Sequence, residues 1–101
     1  MNAISNYKEI NGYASSPSIR SGIGFENQNK SVVLEYMKKN EAEAVQSRTM
    51  MDYISGTALN GSVECFTDGK YFWTSEEIYH FEKYNLKLND DFIQYVLNRL
   101  E

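Results

Sequence analysis

Few residues of this chain have side chains that could carry out catalytic or metal chemistry. His80 is the only histidine among 101 residues, and Cys65 is the only cysteine. A nucleophilic Cys–His pair needs a third group to orient the base, and a structural zinc ion needs about four ligands. One residue of each type assembles neither site. We therefore expect Cys65 to be a small buried strand residue and His80 to lie on a helix surface or to be half-buried.

Carboxylates are the other candidates for chemistry, since two of them can act as acid and base when a cleft separates their pKa values. Five acids of the C-terminal third are candidates. Glu76, Glu77 and Glu82 lie on one predicted helix, and Asp90 and Asp91 lie at the start of the next. Helix capping explains most of them. The sequence thus predicts no catalytic, cofactor-binding or metal-binding residue, no cofactor, and a protein that is not an enzyme.

Length and composition narrow the function further. A length of 101 residues fits one domain, and 42% hydrophobic residues with a single proline are typical of a globular chain. The formal net charge of -4 opposes binding to a phosphate backbone and favours a basic protein partner. A single cysteine, with no signal segment and no run of about 18 apolar residues, predicts a cytoplasmic protein that binds neither nucleic acid nor a membrane.

Hydrophobic spacing predicts three helices, at residues 29–40, 75–85 and 90–100. Asn29, Thr74 and Asn89 are placed to cap them. Thr74 is followed three residues later by Glu77, which is the pattern of a capping box. Residues 1–28 are rich in Ser, Asn and Gly, so we expect a loop-rich segment at the start of the single domain formed by residues 1–101.

Two turn signals and one apolar run predict the sheet. Asn60-Gly61 and Asp68-Gly69 both favour the type I′ turn of a two-residue hairpin loop, and at least one strand is expected within residues 42–54. A loop at Asp68-Gly69 places Phe66 opposite Tyr71. We therefore predict an α+β fold, in which a short antiparallel β-meander packs with about three helices.

Two candidate partner-binding surfaces follow from these elements. Ile78 and Phe81 are expected to face the core, so the opposite side of their helix presents Glu76, Tyr79 and Glu82. Acidic side chains beside an aromatic ring suit a basic target. An ordinary solvated helix face is the competing interpretation. The second candidate surface lies on the predicted sheet and consists of Glu64, Tyr71 and Trp73.

Four motifs in the second half of the chain carry a family resemblance. They lie at residues 52–56, where the sequence is Asp-Tyr-Ile-Ser-Gly, and at residues 67–73, 78–84 and 88–93. Together they resemble a family of small bacterial immunity or immunity-like proteins of polymorphic toxin systems, including contact-dependent growth inhibition. Where that family usually has proline, this chain has Thr74 and Asn89, which are also good helix starters.

The resemblance implies a protein that binds and neutralises a cognate toxin domain, with a nuclease as the expected toxin, by steric and electrostatic occlusion. No binding residue is carried over, because the matching motifs consist of turn, cap and core residues. The alternative is a small cytoplasmic adaptor or regulatory protein-binding module with no toxin partner. A gene for a large secreted toxin immediately upstream would favour immunity, whereas a regulatory or metabolic operon would favour the adaptor.

Overall fold

A four-stranded sheet and the helices that cover it make up the computed structural model, which describes residues 1–11 and 13–100. The strands are β1 (Asn2–Ala3), β2 (Ala44–Asp52), β3 (Thr57–Thr67) and β4 (Tyr71–Thr74). They lie in the order β1-β4-β3-β2, with β1 parallel to β4 and the other two pairs antiparallel. The predicted α+β fold with an antiparallel meander in one domain is confirmed.

All three predicted helices are present, with ends within about one residue of the predicted ones. Among the described residues the helices are α1 (Lys8–Asn11), α2 (Lys30–Lys39), α3 (Ser75–Tyr84) and α4 (Asp90–Arg99). The capping box of Thr74 and Glu77 is confirmed at the start of α3. Asn29 and Asn89 occupy the N-cap positions of α2 and α4, but neither side chain makes a capping hydrogen bond.

Short elements joined by loops make up the described part of the N-terminal segment. They are β1, α1 and a 3₁₀ turn at Ile19–Gly22. Backbone hydrogen bonds tie the segment to the C-terminal half, among them those from the Asn2 N–H to the Lys70 carbonyl at 2.9 Å and from the Asn89 N–H to the Ile4 carbonyl at 2.8 Å. The Ile4 side chain is fully buried, so the segment belongs to the core.

The turn between β2 and β3 lies at residues 53–56, and the predicted turn at Asn60-Gly61 is wrong. Strand β3 continues through Asn60-Gly61, where Gly61 has a φ of 95° and the register with β2 shifts. At the observed turn, the Asp52 carboxylate accepts hydrogen bonds from the backbone N–H groups of Ile54 and Ser55, both at 2.9 Å. An aspartate that bonds the following backbone in this way fixes a turn without the Asn-Gly signal.

The loop between β3 and β4 also differs from the prediction. Phe66 lies opposite Trp73 and not opposite Tyr71, so the predicted register is wrong by two residues. The Asp68 carboxylate accepts hydrogen bonds from the backbone N–H groups of Lys70 and Tyr71, at 2.9 and 2.8 Å, and this moves the tip of the loop one residue along the chain. A shift of two residues in pairing leaves each side chain on the face predicted for it.

Aromatic side chains fill the core between the sheet and the helices. Trp73 is fully buried, and its ring lies 6.2 Å from that of Tyr36 and 5.7 Å from that of Phe92. Its indole N–H donates to the Met37 carbonyl at 3.3 Å. Trp73 of β4 therefore contacts both α2 and α4, and the polar atom of its ring is satisfied inside the core.

Candidate functional site

The predicted helix surface of Glu76, Tyr79 and Glu82 does not form one exposed face. Glu76 is fully buried, Tyr79 is partly buried, and Glu82 is exposed. The expected exposure of Glu76 is wrong, because the β2–β3 hairpin packs against that side of α3. Glu82 is accessible and pairs with Lys38 across to α2, with the charged atoms 3.0 Å apart.

Of the three residues in the predicted sheet surface, one is accessible to a partner. Glu64 is exposed, but Tyr71 and Trp73 are buried in the core, so their assignment to an accessible surface is wrong. Successive side chains of a strand point to opposite faces, and Phe72, which lies between the two buried residues, therefore points outward. Its side chain is 40% exposed, which makes it the accessible aromatic residue of β4.

His80 joins α3 to the hairpin and is fully buried, so its expected surface or half-buried position is wrong. Its Nε2 lies 3.1 Å from the backbone nitrogen of Tyr53, and its Nδ1 lies 2.7 Å from the carbonyl oxygen of Glu76. A backbone N–H can only donate and a carbonyl can only accept, which places the ring proton on Nδ1. Both ring nitrogens are thus occupied within the protein.

Glu76 makes a second connection to the same strand edge. Its carboxylate accepts from the Met51 N–H at 2.9 Å and from the Tyr53 hydroxyl at 3.0 Å, and it pairs with Arg48 at 2.9 Å. Met51 and Tyr53 are two residues apart, so their N–H groups point to the same side of the strand. The Glu76 carboxylate and the His80 ring accept hydrogen bonds from these two N–H groups. Side chains of α3 thereby supply the acceptors that a neighbouring strand would otherwise supply.

Asp52 completes this group, which we call the hairpin–helix cluster (Asp52, Tyr53, Glu76, Tyr79 and His80). The Asp52 carboxylate is buried and accepts from the hydroxyls of Tyr79 and Tyr84, at 2.7 and 2.6 Å, as well as from the turn backbone. Burial alone would raise its pKa, but the hydrogen bonds outweigh burial and hold the pKa well below its usual range. The cluster therefore fixes the hairpin on α3.

The Glu77 side chain lies on a different side of α3 from the Glu76 side chain and is also buried. Its carboxylate accepts from the Thr74 N–H at 2.9 Å and from the Ser5 hydroxyl. No ion pair of the described residues includes Glu77. Burial raises its pKa to about 7, and the nearby charge of Glu76 adds to this rise, while the hydrogen bonds from Ser5 and Thr74 oppose it.

Glu77 lines a groove of about 620 Å³, which we call the Glu77 groove. All four strands and the N-terminal segment contribute to its lining, and Glu77 and Trp73 are its most buried lining residues. Phe72 and Tyr13 are exposed on its walls, at 40% and 67%. Other residues that line the Glu77 groove include Met1, Ile10, Glu43, Cys65 and Phe66.

Cys65 lies in β3, as the sequence predicts, but it is only partly buried. Its sulfur accepts a hydrogen bond from the Gln46 amide at 3.4 Å. Within residues 1–11 and 13–100, no three His, Cys, Asp or Glu side chains are grouped so that they could hold a metal ion. Over the same residues, every helix is too short or too polar to cross a membrane.

Comparisons with models of protein families, with curated proteins and with solved structures found no match to this chain. Functional inference therefore depends on the resemblance of the motifs and on the geometry of the chain itself. The alternation of Tyr71, Phe72 and Trp73 indicated that Phe72 lies on the opposite face from the other two, but it did not indicate which of the two faces is exposed. No local signal indicated the groove, because its lining comes from the N-terminal segment and from residues 43–77, which are far apart in the sequence.

Proposed function

We propose that this protein binds and neutralises a cognate bacterial toxin domain, and that the toxin is a basic nuclease. The observation that carries the proposal is the resemblance of the motifs within residues 52–93 to immunity proteins of polymorphic toxin systems. The formal net charge of -4 supports a basic target, because a nuclease surface that binds phosphate also attracts carboxylates. Occlusion of that surface would block the substrate without chemistry by the inhibitor.

The structural roles of the motif residues support the resemblance. Asp52 begins the first motif and holds the β2–β3 turn. Asp68 lies in the second motif and holds the next loop, and Thr74, directly after it, begins α3. His80 lies in the third motif and anchors the hairpin on that helix. Each of these three motifs thus positions one element of the meander or of the helix that follows it, which suits a family defined by a shared scaffold.

The placement of the ionisable groups supports binding over catalysis. A general base needs a lone pair that faces a substrate, and the acceptor nitrogen of His80 is already used by the Tyr53 N–H. Asp52 and Glu76 likewise bond to the hairpin. The exposed carboxylates are instead distributed over the surface. They belong to Glu26, Glu35, Glu41, Glu43, Glu64, Glu82, Asp90 and Asp91.

Co-expression with the toxin domain encoded beside this protein tests the proposal. We expect cells that make both proteins to survive, cells that make the toxin alone to die, and the purified pair to form a complex. A toxin domain from an unrelated system is the matched control and should kill cells whether or not this protein is present. Equal killing by the cognate toxin with and without this protein, or the absence of a complex, would overturn the proposal.

A further inference from the structure

The Glu77 groove combines apolar walls with acidic groups. Its exposed and partly exposed walls include the aromatic rings of Tyr13, Phe66 and Phe72. Its ionisable side chains include the carboxyl groups of Glu43 and Glu77, and none of its described lining residues is a lysine or an arginine. Such a surface complements a side chain with an apolar stem and a cationic end.

We propose that the Glu77 groove receives a lysine or arginine side chain of the toxin, with the stem along the aromatic walls and the cationic end at the Glu77 carboxylate. This inference rests on the proposed function, since the toxin supplies the side chain. It places the centre of the interface on the groove and leaves the exposed face of α3 at the periphery.

The Glu77 carboxylate is held ready for such a cation. The Thr74 N–H and the Ser5 hydroxyl fix its orientation, and a carboxylate has about four lone-pair positions, so further donors can bind. Folding has already removed the Glu77 carboxylate from water, so the binding of a partner does not incur the cost of desolvating it again. A cation that arrives there supplies an ion pair that the described residues do not form with Glu77.

Proton release should accompany binding. Burial raises the pKa of Glu77 to about 7, so that near neutral pH a fraction of the molecules carry a proton on this carboxyl group. The cation binds the ionised form, and the displaced proton passes to the solvent. The other ionisable groups that face Glu77 or the groove are Glu76 on α3, Tyr7 and the Met1 amino group of the N-terminal segment, and Glu43 and Cys65 beside the sheet.

Affinity measurements at about pH 6 and about pH 8 test the inference. The purified toxin domain is titrated with the wild-type protein and with Glu77→Gln. Glutamine keeps an acceptor for the capping box but has no charge. For the wild type we expect about tenfold tighter binding at the higher pH, since the ionised fraction of Glu77 rises by about that factor. For Glu77→Gln we expect no such rise, and binding about tenfold weaker than wild type at the higher pH.

Phe72→Ser is the second variant, because an exposed side chain can be shortened without loss of the core. We expect it to weaken binding about fivefold or more at both pH values. Val32→Ser and Leu100→Ser are matched controls on exposed residues that do not line the groove, and they should keep the wild-type affinity and pH dependence. Thermal unfolding of each variant verifies that it is folded.

The outcomes separate this inference from the proposed function. A wild-type complex whose affinity and pH dependence are unchanged in Glu77→Gln and Phe72→Ser would overturn the groove as the binding site and leave toxin neutralisation intact. The absence of any complex with the wild type would overturn both. Self-association of the wild type that is lost in Phe72→Ser, with toxin binding unaffected, would assign the groove to a second copy of this chain and would also overturn the inference.

Discussion

Glu76 and Glu77 are neighbours on α3, and both are buried, but their surroundings differ in one respect. Glu76 meets a cation, Arg48, and bonds the edge of β2. Among the described residues, the donors to Glu77 are neutral groups of Thr74 and Ser5, and no ion pair includes this carboxylate. A buried carboxylate with a cationic partner holds two elements together, whereas one without such a partner stays sensitive to protons and to incoming cations. The first arrangement stabilises the fold and the second is suited to binding.

The pKa values of Asp52 and Glu77 differ as well, although both carboxylates accept hydrogen bonds from neutral donors. Hydrogen bonds hold the pKa of Asp52 below its usual range, so its contribution to stability is present near neutral pH and is lost as the pH falls into the acid range. The pKa of Glu77 is raised, so its contribution is present at low pH and is lost as the pH rises. The hairpin–helix cluster and the groove therefore respond to pH in opposite directions.

Removal of the Glu76 carboxylate should have the largest effect on stability. Glu76→Ala removes the acceptor of the Met51 N–H and the anionic partner of Arg48, and we expect the free energy of unfolding to fall by about 3–4 kcal/mol in chemical denaturation. Glu82→Ala is the control, since its ion pair is exposed and should contribute about 0.5 kcal/mol or less. Equal losses in the two variants would contradict the structural role of Glu76.

The pH dependence of stability should distinguish Glu77 from the hairpin–helix cluster. The ordinary pKa of the Glu77 carboxyl is 4.5 and its folded value is about 7. Relative to Glu77→Gln, the wild type should lose about 3 kcal/mol of unfolding free energy as the pH rises through this interval, with little further change above it. Urea unfolding at a series of pH values measures the difference. Parallel curves for the two proteins would show that Glu77 is not held protonated.

The sequence predicted the elements that depend on local signals. The capping box of Thr74 and Glu77 lies within four consecutive residues, and it located the start of α3 correctly. The position of the β2–β3 turn and the register of the β3–β4 loop were predicted wrongly. The carboxylates of Asp52 and Asp68 bond the backbone that follows them, and these bonds prevailed over the Asn-Gly and Asp-Gly preference. The turn preference of Asn-Gly and Asp-Gly thus failed as a predictor where a hydrogen bond from the backbone to a nearby aspartate competed with it.

The burial of Glu76 and His80 was missed for a different reason. Helical periodicity shows which side of α3 faces the core through Ile78 and Phe81, but it does not show that a second element covers the other side. That cover is the edge of β2, more than twenty residues earlier in the chain, where the Met51 and Tyr53 N–H groups need acceptors. Polar residues on a helix can therefore be buried when they satisfy a strand edge.

Replacement of His80 should have the smallest of these effects on stability and should separate structure from binding. His80→Gln removes the ring that links the Tyr53 N–H to the Glu76 carbonyl, and we expect a loss of about 1–2 kcal/mol in unfolding free energy. Because His80 is fully buried on the hairpin side of α3, the folded variant should bind the toxin domain with wild-type affinity and protect cells. Calorimetry and co-expression measure the two quantities. A folded His80→Gln protein that forms the complex but does not protect would indicate that the imidazole acts on the toxin, and the contrast between a structural cluster and a binding groove would then be wrong.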